Sequence, residues 1–180
     1  MSKKVLITGG NKGIGLAVSR AMLEFGYEII IVARDFDTCP LVGVKNVTAI
    51  EYDLSDVDGL HQLAKTIGNV DILINNAGYM QPKYTYNNYP KEARDHIMNV
   101  DLYTPVELMN IFSEHMKKQK YGRIVNTASI AGQIGHPDVW YGIAKAGLIN
   151  ATKIYGKMLG AHGITVNCVA PSPTETDMQK

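Results

Sequence analysis

Val5-Leu6-Ile7-Thr8-Gly9-Gly10-Asn11-Lys12-Gly13-Ile14-Gly15 decides how this 180-residue chain folds. A short apolar run over 5–8 reads as a strand, and 11–25 reads as a helix reached through a glycine turn. Glycines permit positive φ and close backbone approach, so a phosphate can touch main-chain N–H groups there. The helix behind the turn offers its positive N-terminal end to the same anion. The glycines fall at 9, 13 and 15, which is not G-x-G-x-x-G. A plain strand-to-helix turn also satisfies this pattern, so its meaning depends on the residues further along the chain.

Outward from this turn the chain alternates. Strands are expected at 28–33, 47–52, 71–75, 122–127 and 164–169. The strand at 28–33 has almost no polar alternation, as a strand covered on both faces should. Helices are expected at 55–67, with Ser55 as N-cap, at 91–118, with Pro105 as a kink or break, and at 139–159. A loop rich in Tyr, Asn and Pro lies between them at 79–90. Strands alternating with helices imply an α/β fold, a doubly wound parallel sheet of Rossmann type in the order 3-2-1-4-5-6, forming one domain over 1–180. Such sheets bind ligands at the carboxyl ends of their strands, so residues there carry the chemistry.

Composition narrows the function classes. A net charge of +1 argues against nucleic acid as a partner. Cys39 and Cys168 form neither a metal-ligand spacing nor a disulfide framework, so no metal is expected. The N-terminus lacks the apolar region of a signal peptide, and no stretch approaches the roughly 20 apolar residues of a membrane span. The expected location is the cytoplasm, with no membrane partner.

The turn Thr8-Gly9-x-x-x-Gly13-x-Gly15 resembles that of the short-chain dehydrogenase/reductase family, and further motifs come in the family's order. Asp53, in Glu51-Tyr52-Asp53-Leu54, is similar to an acid that contacts the adenine amino group. Asn75-Asn76-Ala77-Gly78 matches the family's Asn-Asn-Ala-Gly signature. The resemblance implies cofactor contacts from Gly9, Asn11, Lys12, Gly13, Ile14 and Gly15, then from Asp53, Leu54, Asn75, Ala77 and Gly78. An NAD-specific site usually places an acid at the end of the second strand. Here Ala33 stands in that place and Arg34 comes next, a guanidinium able to grip the extra phosphate of NADP. Lys12 adds a second cation, so NADP(H) is expected in preference to NAD(H).

Tyr141 and Lys145 are four positions apart on an expected helix, hence on one face. A free phenol, with a pKa of about 10, is a poor base near neutrality, and a neighbouring ammonium favours its ionised form. The resemblance makes Tyr141 the general acid/base and Lys145 the group that tunes it and binds the nicotinamide ribose. It makes Ser129 a hydrogen-bond partner of the substrate oxygen, and Asn99 the support of a water linking Lys145 to solvent. Pro171, Thr174 and Thr176 resemble the family's Pro-Gly-x-x-x-Thr segment, which holds the nicotinamide carboxamide. Ser172 replaces the glycine there, with strain expected if that position needs positive φ.

These features imply an NADP-dependent oxidoreductase moving a hydride to or from a small carbonyl or alcohol, assembled as a homodimer or homotetramer through the helices at 91–118 and 139–159. The family usually runs longer, with a last strand and a substrate lid beyond the Thr176 region. Two other readings stay open: a non-catalytic dinucleotide-binding or sensor protein, and an epimerase- or dehydratase-like member. Which carbonyl compound is used does not follow from these residues.

Overall fold

The computed structural model describes residues 2–81 and 84–174. Six parallel strands form one sheet: β1 (Lys4–Thr8), β2 (Glu28–Ala33), β3 (Val47–Glu51), β4 (Ile72–Asn75), β5 (Gly122–Thr127) and β6 (Ile164–Val169), in the order β3-β2-β1-β4-β5-β6. The register sets Thr8 against Val32 on one side and Asn75 on the other, so β1, β2 and β4 end on one line. The order reverses between β1 and β4, which opens the crevice that such sheets use for ligands.

Strand alternation explains why these segments are apolar throughout. Successive side chains point to opposite faces. Leu6, Ile30, Val32, Leu73 and Ile124 join one buried cluster with Leu108, Met109, Phe112 and Met116. Val5, Ile7, Ile29, Ile31, Ile72 and Ile74 join the other, against Leu16, Val18 and Met22. Helix α1 (Gly13–Glu24) covers the second face, while α2 (Leu60–Ile67) and α4 (Thr104–Gln119) cover the first, with α3 (Lys91–Met98) preceding α4. The connection between β2 and β3 holds turns but no helix, as its shortness requires. Among the described residues no helix is long and apolar enough to cross a membrane.

Two boundaries differ from the sequence reading. Ser55 is not a helix cap: α2 starts at Leu60 behind Gly59, and the Ser55 N–H donates to Asp53 Oδ1 at 2.9 Å. Asp56 likewise accepts from the Gly59 N–H at 3.1 Å. These local side-chain bonds offer the backbone an alternative to helix over 54–59. The break in 91–118 also lies one turn before Pro105. Residues Asn99–Tyr103 form a π-helical turn, and Pro105 sits in the first turn of α4, where a missing N–H costs nothing. The wide turn is anchored by Asn99 Nδ2 donating to Ser55 O at 2.9 Å and Thr104 Oγ1 donating to Leu54 O at 2.6 Å.

The last long helix, α5 (Val139–Leu159), lies against β5 and β6. Asn126 joins these elements from within. It is fully buried, accepts from Asn75 Nδ2 at 2.9 Å and donates to Thr152 Oγ1 on α5 at 2.9 Å. Asn126→Ala should cost about 1–3 kcal/mol, because Asn75 and Thr152 lose partners where water cannot replace them. A melting temperature lower by roughly 2–12 °C is expected in thermal denaturation.

Candidate active site

The glycine turn is shaped by what it packs against. Thr8 Oγ1 accepts from the backbone N–H groups of Asn76 at 3.0 Å and Ala77 at 3.1 Å. Asn76 Nδ2 returns the contact, donating to the carbonyls of Thr8 and Gly9, both at 3.2 Å. Gly9 adopts φ +64°, and a Cβ there would lie 2.9 Å from Ala77 Cα. A Cβ on Gly15 would collide with the Gly9 carbonyl oxygen. Only glycine lets the turn fold back this closely onto the end of β4. Asn11 is buried and donates from Nδ2 to Asp35 O at 2.9 Å, which ties the turn to the residues after β2. Helix α1 starts behind Lys12 with no side-chain cap and no acid in its first turn, so its positive end is uncompensated.

A cavity of about 380 Å³ opens at this edge of the sheet. Its wall includes Gly9, Asn11, Lys12, Gly13, Ile14, Gly15, Arg34, Asp53, Leu54, Ala77 and Gly78, and also Ser129, Tyr141, Lys145, Pro171 and Thr174. Arg34 is not spent on Asp35: among the described residues it has no ion-pair partner, and its guanidinium carbon stands 5.8 Å from the Tyr79 ring centre. Burial works to raise the Asp53 carboxyl, but the hydrogen bond from Ser55, with His96 and Arg34 nearby, holds it below the usual range. It is therefore ionised on the cavity wall.

Helix α5 positions Tyr141 and Lys145. Asp138 is its N-cap and is fully buried, accepting from the Tyr141 N–H at 3.2 Å. The same carboxylate accepts from Tyr89 Oη at 2.9 Å and the Gln81 N–H at 2.8 Å, tying the loop after β4 to the start of α5. Tyr141 is 8% exposed, packs with Ile97, Ala131 and Ala144, and has the His136 ring 5.5 Å away. One turn on, Lys145 Nζ lies 5.6 Å from the Tyr141 ring centre. It donates to Thr127 O at 3.0 Å and pairs with Asp101 Oδ1 at 2.9 Å. Ser129 caps the short turn Ile130–Gly132, its Oγ accepting from the Ala131 N–H at 3.1 Å, so its own proton is available to a ligand.

Two of the expected site residues do not reach the wall. Asn75 turns inward, donating to Asn126 Oδ1 and to Pro105 O at 3.3 Å, and its neighbour Asn76 lines the cavity instead. Asn99 is occupied with Ser55 O and holds the π-helical turn. Thr176 lies outside the described residues. The strain expected at Ser172 is absent, since the described non-glycine residues with positive φ are Asn46 and Lys120. The sequence reading does not single out Asp101, Asp138, His96 or His136. Asp138 carries a signal, an acid directly before an apolar helix, whereas the position of Asp101 depends on the π-helical turn.

The family model described as short chain dehydrogenase matches residues 3–180. The 3-oxoacyl-acyl-carrier-protein reductase of Vibrio harveyi is 34% identical, over 99% of this chain and 76% of its own length. A structure of 4-hydroxyisoleucine dehydrogenase complexed with NADH superposes with a TM-score of 0.94 at 26% identity, covering 99% of this chain and 76% of that one. ElxO with NADP bound superposes at 0.87 with 30% identity, covering 99% and 77%. A turn, signature and helix in the family's order, folded onto one cavity, agree with these matches: the chain belongs to the short-chain dehydrogenase family, oxidoreductases that exchange hydride with a nicotinamide cofactor.

Proposed function

We propose that this chain reduces a carbonyl compound, or oxidises the matching alcohol, with NADP(H), and that Tyr141 is the proton donor and acceptor. The observation that carries this reading is the placing of Tyr141, Lys145 and Ser129 on the wall of the same cavity as the glycine turn and Arg34.

The donor set fits such a cofactor. The uncapped start of α1 and the N–H groups of the glycine turn suit a diphosphate. Arg34 and Lys12 suit a ribose phosphate, and ionised Asp53 suits an adenine amino group. When bound, the nicotinamide ring gives or takes the hydride. The protein's part is positional and electrostatic. The Ser129 hydroxyl donates to the substrate oxygen. Tyr141 gives its phenolic proton to that oxygen as negative charge builds there during reduction, and takes it back during oxidation. The Lys145 ammonium stabilises the charge that this transfer leaves on Tyr141. Stoichiometric NADPH oxidation across a panel of carbonyl compounds tests the assignment and separates it from a sensor or an epimerase; no consumption with any of them would refute it.

Arg34→Asp probes cofactor choice. Replacing a cation that binds phosphate by an anion should raise KM for NADPH by roughly 10- to 150-fold, the range of about 1.5–3 kcal/mol for a hydrogen bond to a charged group. KM for NADH should change far less, and equal changes would contradict the NADP assignment.

The same reading has the chain pair with copies of itself through α4 and α5. Tyr103, just before α4, and Ile143, Ile154 and Met158 on α5 are large apolar side chains left exposed there.

A further inference from the structure

We infer that His136 is a specificity-determining residue: its Nε2–H donates to a second oxygen of the substrate, so the preferred carbonyl compounds carry an uncharged oxygen acceptor a few bonds from the reacting carbon. The inference rests on the reading that Tyr141 and Ser129 hold the reacting oxygen, and goes beyond it by naming what else the substrate must present.

The ring is fixed from its other side. The Asp138 N–H donates to His136 Nδ1 at 3.1 Å. The Asp138 carbonyl lies farther from the same nitrogen, at 3.4 Å. A backbone amide can only donate, so Nδ1 presents its lone pair and the ring proton sits on Nε2. The anchor is itself held, because the buried Asp138 carboxylate accepts from Tyr89, Gln81 and Tyr141. Among the described residues no group accepts from Nε2. The half-buried ring lines the cavity and stands 5.5 Å, centre to centre, from the ring of Tyr141. At about 1.5 Å per bond, this separation suits two oxygens of one small molecule, the first on Tyr141 and the second on His136.

The surroundings make that donor selective. Ile130 and Ala131, the wall residues that follow Ser129, bring no side-chain donor. A bound substrate without the second oxygen would exclude water from the Nε2–H and leave it unpaired, and a site of this kind discriminates more strongly than an apolar one. Charge narrows the acceptor. The Lys and Arg side chains on the described wall are Lys12, Arg34 and Lys145. Lys12 and Arg34 follow β1 and β2, beside the glycine turn, and Lys145 is paired with Asp101. A carboxylate beside His136 would find no lysine or arginine free to balance it, whereas an ester, amide or ketone oxygen needs none.

The test crosses two substrates with the unmodified protein, His136→Phe and His136→Gln, reading kcat/KM with NADPH. Methyl 3-oxobutanoate and 4-methoxybutan-2-one differ only in whether the ester carbon bears a carbonyl oxygen, and their difference in intrinsic reactivity is common to every protein compared. Phenylalanine keeps a ring against Tyr141 and removes the donor. It should lower the ester-to-ketone ratio of kcat/KM by about 5- to 100-fold, through loss on the ester alone. Glutamine carries an N–H near the place of Nε2 and should restore most of the ratio. A ratio unmoved in His136→Phe, an equal loss on both substrates, or a ratio that His136→Gln leaves as low as His136→Phe would overturn the inference. So would a preference of the unmodified protein for 3-oxobutanoate over its methyl ester, which would give the place to a carboxylate. Turnover of other carbonyl compounds but of neither probe would overturn the inference and leave the reading beneath it standing; no NADPH oxidation with any of them would remove that reading. Should His136→Phe fail to fold, His136→Leu, which also lacks the donor, takes its place in the same comparison.

Discussion

Tyr141→Phe should lower kcat by about 10²- to 10⁴-fold, the range that a positioned general acid supplies, while NADPH affinity and melting temperature stay close to those of the unmodified protein. The ring of Tyr141 does the packing, against Ile97, Ala131 and Ala144, and phenylalanine keeps that ring. The substitution removes only the hydroxyl of a cavity-lining residue, and among the described residues no hydrogen bond depends on that hydroxyl. Contacts proposed for the dinucleotide come mainly from the glycine turn, Arg34 and Asp53, which the change does not touch. Stopped-flow or steady-state NADPH oxidation, combined with fluorescence titration of NADPH, separates the two effects. Activity retained within tenfold would remove Tyr141 from the chemistry. Loss of cofactor binding in proportion to activity would make it a structural element of the pocket.

What can be read from the sequence is local in character. β2, β5, β6 and α5 have the limits that their composition suggests, because apolar β-branched runs and helical spacing are properties of neighbouring residues. The strand order comes from parallel pairing and right-handed crossovers, which leave few alternatives. Tyr141 and Lys145 are legible for the same reason, since one helical turn brings them together wherever the helix lies. The rest depends on tertiary position. Asn75 and Asn76 are adjacent and chemically identical, and only the pleat at the end of β4 decides that one faces the core and the other the cavity. Asn99 reads as a relay residue, yet its side chain is committed to Ser55 O, a contact between segments distant in sequence. Asp101 reads as an ordinary polar residue in a helix. The extra residue of the π-helical turn rotates it from solvent to the interior, opposite α5. Burial of both charges is thus a property of two packed helices and of neither alone.

Lys145→Met isolates that buried charge from the other side. Methionine keeps much of the apolar stem, so little cavity should form, but Asp101 loses its cation and, among the described residues, keeps the Tyr79 N–H alone. Breaking a buried pair by removing one partner costs about 3–5 kcal/mol, and for a chain of this size that is a fall of roughly 6–20 °C in melting temperature. The deficit should depend on pH, and its sign can be worked out. Burial already pushes Asp101 above the usual carboxylate range, and Lys145 is the largest influence opposing this. Without Lys145 the folded-state value rises further above the unfolded one. A carboxyl of that kind favours the folded state below the unfolded pKa and loses this contribution as pH rises through the folded value. Melting temperatures of Lys145→Met and the unmodified protein should therefore converge in acid and separate towards neutral pH. Turnover should fall by about 10²- to 10³-fold, as when one preorganised donor is removed from a reacting centre. It should not recover in acid together with stability, because protonating Asp101 relieves the fold and does not restore the ammonium beside Tyr141. A stability deficit constant across pH would show that Lys145 does not set the proton affinity of Asp101 in the folded protein; turnover that rises in step with the melting temperature would show that Lys145 acts on the fold and not on Tyr141.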